Sequence, residues 1–396
     1  MSYPMIEIGD LMLKRNGSVD PSKFPDETFE LHSIPAFDKG TPDIVKGSEI
    51  GSSKQLVQEN DVMISKIVPH IRRASVVCPK GDYRQIASGE WIVFRSDKIY
   101  PDYLKHVLIS DTFNKQFMAT VSGVGGSLLR ARPAFVAKIK IALPPLSEQR
   151  RIASILDQAD ELRQKRQQAI EKLDQLLQAT FIDMFGDPVS NPKGWEVKKL
   201  SELSTKIHSG NTPKGGSENY VDQGIIFLRS QNVWKNKVIL DDVAYIDAET
   251  HSKMMKSSVK HEDLLMTKTG RINTENSSLG RAAIYLGEDD SANINGHVYL
   301  IRIKDGFNKY FILRILTLPD YYEYIRSVCV GGIDKRQLNK EHIENFPIIQ
   351  PPMELQNKFS NIVQVIESQK PKLLEQLDLA ENLFKTLQQK AFNGTL

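Results

Sequence analysis

Apolar positions along this chain follow two alternating patterns. Through the first 140 or so residues they come in short runs broken by Gly, Pro and Asn, the spacing of turn-bounded strands. A later stretch repeats the habit in Ile225-Ile226-Phe227-Leu228, Ala282-Ala283-Ile284-Tyr285-Leu286 and Val298-Tyr299-Leu300-Ile301. A helical period intervenes only briefly, as between Tyr103 and Phe117. Each stretch therefore predicts a mixed α/β module rich in strands.

After Pro144-Pro145 the period changes. Ser147 offers an N-cap, and Ile152, Ile155, Leu156, Ala159, Leu162, Ile170, Leu173, Leu176, Leu177 and Met184 recur three and four apart. The run should stop at Phe185-Gly186-Asp187-Pro188, where a Gly cap precedes a Pro. A second run carries Phe359, Ile362, Val363, Ile366, Leu373, Leu377, Ala380, Leu383, Phe384 and Leu387. Both stripes hold a coiled-coil seam for more than four heptads. Residues 152–184 alone would make a helix about 50 Å long at ~1.5 Å per residue. Pro371 should kink or split the second helix, since it lacks an N–H and clashes with the preceding turn.

The two patterns recur together. At an offset of 207, Pro144-Pro145-Leu146 lies over Pro351-Pro352-Met353, Gln149 over Gln356, Tyr103 over Tyr310, Phe117 over Tyr324 and Phe185 over Phe392. Gly125-Gly126 matches Gly331-Gly332 after a small indel. Upstream, Asp61-Val62-Met63-Ile64-Ser65-Lys66 resembles Asp263-Leu264-Leu265-Met266-Thr267-Lys268 at 202, and Gly9-Asp10-Leu11 resembles Ser201-Glu202-Leu203 at 192. Such drift marks indels, which collect in loops. The expected fold is thus α/β, mixed and strand-rich, with two repeated globular domains separated by two long antiparallel coiled-coil helices. The expected boundaries are residues 1–142 and 188–350 for the domains, 143–187 and 351–396 for the helices.

Composition narrows the class. With 396 residues, 40% hydrophobic and 26% charged, the chain reads as globular and too long for one core. No run approaches ~18 apolar residues, so no membrane partner is expected. Met1 to Leu13 lacks the pattern of a signal peptide. Two cysteines, Cys78 and Cys329, cannot supply a disulfide framework or a zinc site, so no metal is expected and the compartment reads as the reducing cytoplasm. The net charge of +3 is unevenly spread. Residues 147–185 carry 6 basic and 7 acidic side chains, residues 353–392 carry 5 of each, and the modules hold the excess.

Catalytic motifs are absent. The Pro-Pro pairs lack the flanks of an amino-methyltransferase motif, and no Gly-Lys dipeptide exists for a phosphate-binding ATPase loop. Leu128 stands where Val121-Ser122-Gly123-Val124-Gly125-Gly126 would need a third dinucleotide glycine. His261-Glu262 lacks the second zincin His, because position 265 is Leu. Asp187 with Glu196-Val197-Lys198 fits the loose spacing of a metal-dependent nuclease, although Trp195 to Leu200 reads equally as the opening strand of the second module.

Binding chemistry is present. In His208-Ser209-Gly210-Asn211-Thr212-Pro213-Lys214-Gly215-Gly216 the glycines allow close backbone approach, while Ser209, Thr212 and Lys214 can donate to phosphate. Leu228-Arg229-Ser230-Gln231-Asn232 supplies Arg229, Gln231 and Asn232, the types that read guanine and adenine edges. Lys268-Thr269-Gly270-Arg271 and Lys335-Arg336 add cations at turns. The first module offers Lys14, Arg15, Lys66, His70, Arg72, Arg73 and Arg130 in comparable places. Singly these are solvated loop residues. Their recurrence in both modules points to nucleic acid.

At this point the chain resembles a family: the DNA-specificity subunits of type I restriction–modification systems. The resemblance rests on Leu143-Pro144-Pro145-Leu146-Ser147-Glu148-Gln149-Arg150-Arg151-Ile152 with Leu156-Asp157, and on Gln350-Pro351-Pro352-Met353-Glu354-Leu355-Gln356. Trp195 to Leu200, Ser209-Gly210-Asn211-Thr212-Pro213 and Leu228-Arg229-Ser230-Gln231-Asn232 extend it. In the first module, Gly40-Thr41-Pro42 only partly echoes the Ser-Gly-x-Thr-Pro segment. The resemblance implies a non-catalytic chain whose two target-recognition domains each read half of a split double-stranded DNA sequence. It implies two modification subunits, which bring S-adenosylmethionine, and two restriction motor subunits, which bring ATP and Mg. Docking would fall to the helices, through Ile152, Leu156, Leu162, Leu173, Leu177, Phe359, Ile366, Leu373, Leu383 and Leu387. Two other readings stay open: a free-standing nuclease centred on Asp187, Glu196 and Lys198, and a coiled-coil adaptor that binds only proteins.

Overall fold

The structure, a computed structural model, describes residues 3–13, 17–123, 129–272, 274, 276–332 and 335–396. Lys14, Arg15, Gly125, Gly126 and Leu128 lie outside the described residues. The chain divides into two compact units, Met1–Gln168 with Leu374–Leu396, and Ala169–Leu373. No helix among the described residues is long and apolar enough to cross a membrane.

In the first unit, strand Val62–Ser65 is buried along its whole length between Ala74–Val76 and Trp91–Phe94, both antiparallel to it. Beside this sheet a five-stranded one runs in the order Ser18–Val19, Lys54–Leu56, Arg84–Ala87, Thr28–His32, Asp43–Lys46. In it, Thr28–His32 is parallel to Arg84–Ala87. The stretch expected as one helix from Tyr103 to Phe117 is two, Pro101–Ile109 and Asp111–Met118. Ser110 breaks it, because its hydroxyl accepts from Phe113 N and caps the second helix. Met5–Glu7 pairs with Lys140–Ala142 and ties the module's start to its end.

The second unit repeats this plan. Leu264–Thr267 is buried between Ala282–Ile284 and Val298–Ile303, and Ser204–Ser209 adds a fourth strand. Ile225–Leu228 is parallel to Ala292–Ile294, and Val197–Lys199 closes on Pro347–Ile349. Lys309–Thr317 and Pro319–Val328 stand where the first unit has its helix pair.

The repeat extends to single hydrogen bonds. Ala131 N donates to Lys66 O at 2.8 Å and Leu338 N to Lys268 O at 2.9 Å. Lys66 N donates to Glu90 O, and Lys268 N to His297 O. Gln149 Nε2 donates to Pro144 O and Gln356 Nε2 to Pro351 O, each at 2.8 Å, so a buried amide caps both Pro-Pro corners.

The long helices are Leu146–Phe185 and Met353–Asn393. The first starts just ahead of Ser147, its expected cap, and ends where Gly186 adopts φ +78°, a left-handed position free of strain only for Gly. At 40 residues it is about 60 Å long at ~1.5 Å per residue. The second is not split at Pro371 but runs through it. Pro371 is exposed, so water can take up the carbonyl that the missing N–H leaves, and the helix continues for one lost bond.

Within each unit the helix segments pack antiparallel. In the first unit Ile152, Ala153 and Leu156 share a core with Phe384, Leu387 and Ala391, and Arg151 Nη2 donates to Leu396 O at 2.9 Å. In the second unit Phe181 and Phe185 meet Phe359 with ring centroids 5.4 and 5.6 Å apart, and Lys370 pairs with Asp174 at 2.6 Å. Each fully buried large side chain contributes about 1.5–3 kcal/mol. Of the residues expected to dock partners, Ile152, Leu156, Leu177, Phe359 and Ile366 are buried inside their own units. Leu162 and Leu383 stay exposed, and Leu173, Leu373 and Leu387 are half-buried.

Candidate nucleic-acid interface

In the second unit the singled-out segments form one hydrogen-bonded belt. Strand Ser204–Ser209 ends against Val298–Ile303, and Gly210 N donates to Val298 O at 2.9 Å. A Cβ on Gly210 would lie 2.2 Å from Ile294 O and 2.3 Å from Asn295 O, so only Gly lets the loop press onto this turn. Thr212 Oγ1 accepts from Gly296 N at 3.4 Å. The turn itself, Asn295-Gly296-His297, is held by Asn295 N donating to Leu228 O and His297 N to Asn295 Oδ1. Lys268 connects the turn to the next segment, since its N meets His297 O and its O meets Leu338 N. Finally, Thr269–Gly270, Arg336–Gln337 and Val330–Gly331 make a small sheet, which brings Lys268 and Arg271 to Lys335 and Arg336.

Among the described residues the belt's cations stand apart from carboxylates. Lys268, Arg271, Lys335 and Arg336 form no ion pair with a carboxylate among the described residues. Lys268 Nζ instead lies 5.7 Å from the centre of the Tyr299 ring. His208 has its pKa lowered by burial and then by the cations Lys206, Lys256 and Lys340. Ser209 and the backbone of 210–216 thus border a positive surface with many donors, a setting suited to phosphate oxygens.

The loop after Leu228 divides its expected readers. Asn232 is buried, its Oδ1 accepting from Arg229 N and its Nδ2 donating to Ile239 O and Asp242 O. It shapes the loop and has no edge left for a base. Gln231 is exposed and donates to Asp242 Oδ2 at 2.6 Å; Arg229 reaches Asp242 Oδ1 at 3.1 Å. One exposed carboxylate therefore holds the Gln and Arg in place. Lys214 is exposed on a tight turn where Gly215 and Gly216 both have positive φ.

The first unit treats its cations differently. Arg72 pairs with Asp111, Arg73 makes two bonds of 2.7 and 2.8 Å to Asp38, and Arg130 pairs with Glu90. Arg73, its side chain only 11% exposed, is engaged in that pair with Asp38. His70 is exposed and Lys66 half-buried. Gly40-Thr41-Pro42 is no counterpart of the 209–213 loop: Gly40, at φ +88°, ends helix Ile34–Lys39 ahead of strand Asp43–Lys46.

Two features escaped the sequence reading. The Asn295-Gly296-His297 turn was signalled by its Asn-Gly ahead of an apolar run. His32 ends its parallel strand as Leu228 ends its own, its O accepting from Ser88 N as Leu228 O accepts from Asn295 N. Of the nuclease spacing, Asp187 is engaged in a local turn. Asp187 accepts from Val189 N and from Ser190 N and Oγ, which caps the turn, and Glu196, just ahead of strand Val197–Lys199, lies 3.5 Å from Lys198.

Comparison with known proteins agrees with this layout. The sequence profile of the type I restriction modification DNA specificity domain matches residues 3–172 and again 192–378. The chain is similar to the MjaIX specificity subunit of a type I restriction enzyme from Methanocaldococcus jannaschii, 25% identical over 69% of this chain and 63% of that one. The MjaVIII specificity subunit from the same organism is 25% identical over 63% of this chain and 61% of that one. The matches thus span somewhat under two thirds of these curated relatives. In fold, the chain is similar to the type I S subunit from M. genitalium, with TM-score 0.57 and 14% identity over 99% and 96% of the two chains. A chain from a structure on assembly and conformational transition of the type I system gives 0.54 and 21% over 100% and 98%.

Proposed function

Since the chain belongs to the type I restriction–modification DNA specificity family, we propose that it is the non-catalytic subunit that selects the DNA target of such a complex. Each module would read one half of a split double-stranded sequence. The observation that carries this reading is the belt of the second unit, where cations with no ion pair among the described residues border a loop whose Gly210 admits close backbone approach. Phosphate contacts from Ser209, Thr212, Lys268, Lys335 and Arg336 would position the module, while Arg229 and Gln231 would read base edges. In the first module Lys66 and the exposed His70 are the matching candidates.

The long helices would serve as spacer and dock. Their partner-facing positions are the apolar side chains left outside the intramolecular seams: Leu162, Leu374, Leu379 and Leu383 in the first unit, Leu176, Ile182 and Val365 in the second. Modification subunits would bring S-adenosylmethionine, and motor subunits ATP and Mg. The complex would act in the cytoplasm, where such DNA lies. Sequencing the methylated adenines of a host that carries this chain and its modification partner tests the proposal. A split consensus that follows this chain supports it; methylation that does not change with the chain contradicts it.

A further inference from the structure

Counting cysteines alone leaves out a mixed ligand set in the first unit. Glu30 and His32 stand two apart on strand Thr28–His32, so they leave the sheet on the same side. Cys78 joins them from the segment ahead of the neighbouring strand Arg84–Ala87. One ligand atom from each lies within 4.8 Å of the other two. Glu30 Oε1 is 3.3 Å from His32 Nε2 and 3.0 Å from Cys78 Sγ. Tetrahedral zinc, with bonds of ~2.0 Å to N and O and ~2.3 Å to S, spaces adjacent ligand atoms by ~3.3–3.6 Å. The carboxylate–imidazole edge is already of that length. The carboxylate–sulfur edge must open by about half an ångström.

A second observation points the same way. His32 is only 8% exposed, and its Nε2 is buried with no hydrogen bond of good geometry among the described residues. It borders a cleft of about 220 Å³ together with Ser33, Ser75, Cys78 and Trp91. Neighbours fix the set from behind. Gln85 Nε2 donates to Glu30 Oε1 at 3.1 Å and to Cys78 O at 3.0 Å, and Trp91 Nε1 donates to His32 O at 2.9 Å. Outer partners of this kind orient metal ligands. Cys78 is exposed and leaves an entry path.

We propose that Glu30, His32 and Cys78 bind a divalent transition metal of borderline softness, zinc above all, with water from the cleft as the fourth ligand. Burial and then Glu30 hold the thiol up to about 11, so the metal must displace its proton. Binding forms the sulfur–metal bond and releases that proton to solvent. His32 needs no deprotonation, since burial already lowers its pKa. On the function proposed above, the ion would pin the strand end that carries the first module's reading loop. The site itself stands independently of that reading.

The test uses the full chain, equilibrated with zinc chloride, desalted and analysed by atomic emission. The expected result is one zinc per chain, kept in Cys329→Ser, lost in Cys78→Ser and His32→Gln, and bound at least tenfold more weakly in Glu30→Gln. Cobalt in place of zinc should give the thiolate charge-transfer absorption of a sulfur-ligated ion. Zinc should also protect Cys78 of the unmutated chain from alkylation, which keeps the test valid if a variant misfolds. Failure to retain zinc, zinc that survives Cys78→Ser in a folded chain, or alkylation indifferent to zinc would each overturn the proposal. None of these readouts depends on DNA.

Discussion

Arg302 holds the carboxylate of Asp263 by two hydrogen bonds, from Nε at 2.8 Å and from Nη2 at 2.7 Å. Asp263 is 2% exposed, and its Oδ2 also accepts from Lys260 N, which locks the turn entering the buried strand Leu264–Thr267. The first unit repeats the arrangement: Arg95 holds Asp61 at 2.5 and 2.6 Å, and Asp61 accepts from Gln58 N. Removing one partner of a buried pair strands a charge, at about 3–5 kcal/mol. Arg302 is 25% exposed, so Arg302→Ala should cost ~3 kcal/mol, at the low end. Hydrogen-exchange mass spectrometry along a urea series should place the loss in the second unit. A cost below ~1 kcal/mol would make the pair ornamental.

Asn232 and Gln231 should separate folding from reading. Asn232→Ala leaves Ile239 O, Asp242 O and Arg229 N without their partner, for about 1–3 kcal/mol. Gln231→Ala touches only an exposed carboxylate and should stay within about 0.5 kcal/mol while weakening target selection. Urea midpoints beside DNA-binding titrations with the assembled complex check both. Equal stabilities would remove the distinction.

His106 makes the first unit acid-sensitive. It is 1% exposed, and burial lowers its pKa below the model-compound value of 6.5 despite a 2.8 Å contact with Asp157. The folded state therefore takes up the proton less readily than the unfolded one. Stability is full above about pH 6.5 and falls as pH drops below it. His106→Gln should flatten that slope, and His32, whose pKa burial also lowers, should leave a remainder. Urea midpoints at about pH 7.5 and 5.5 measure it. An unchanged slope in His106→Gln would clear His106.

How much of this was legible beforehand depended on distance along the chain. Helix ends and strand runs are local, and Phe185-Gly186 or Val298-Tyr299-Leu300-Ile301 announced themselves. The repeat appeared because similar residues recur in order. Long-range partners left no local trace: nothing near Arg73 names Asp38, and nothing near Arg130 names Glu90, so both read as cations available to a ligand. Asn232 misled similarly, since a residue type fit for adenine is equally fit for two backbone carbonyls. A split at Pro371 was overread, because one missing N–H at an exposed position leaves a long helix continuous.

The spacer proposal predicts a shift in spacing. Four residues inserted in each long helix, within 163–169 and within 374–380, add about 6 Å at ~1.5 Å per residue. A four-residue stutter unwinds a seam locally without abolishing it. At ~3.4 Å per base pair, the nonspecific gap should grow by about one or two base pairs, with both half-sites unchanged. Methylation mapping reads the gap directly. An active insertion mutant with an unaltered gap would assign the spacing to something other than helix length.

The measurement closest to the central claim compares methylated-adenine maps from hosts carrying the unmutated chain and the double variant Arg229→Ala, Gln231→Ala, each with its modification partner. Both changes lie in the second unit. Each lost bidentate contact should cost about 1–3 kcal/mol of base discrimination. The account predicts a consensus that relaxes in one half-site while the other stays as sharp as before. Equal degradation of both halves, or no change in either, would contradict two modules that read independently.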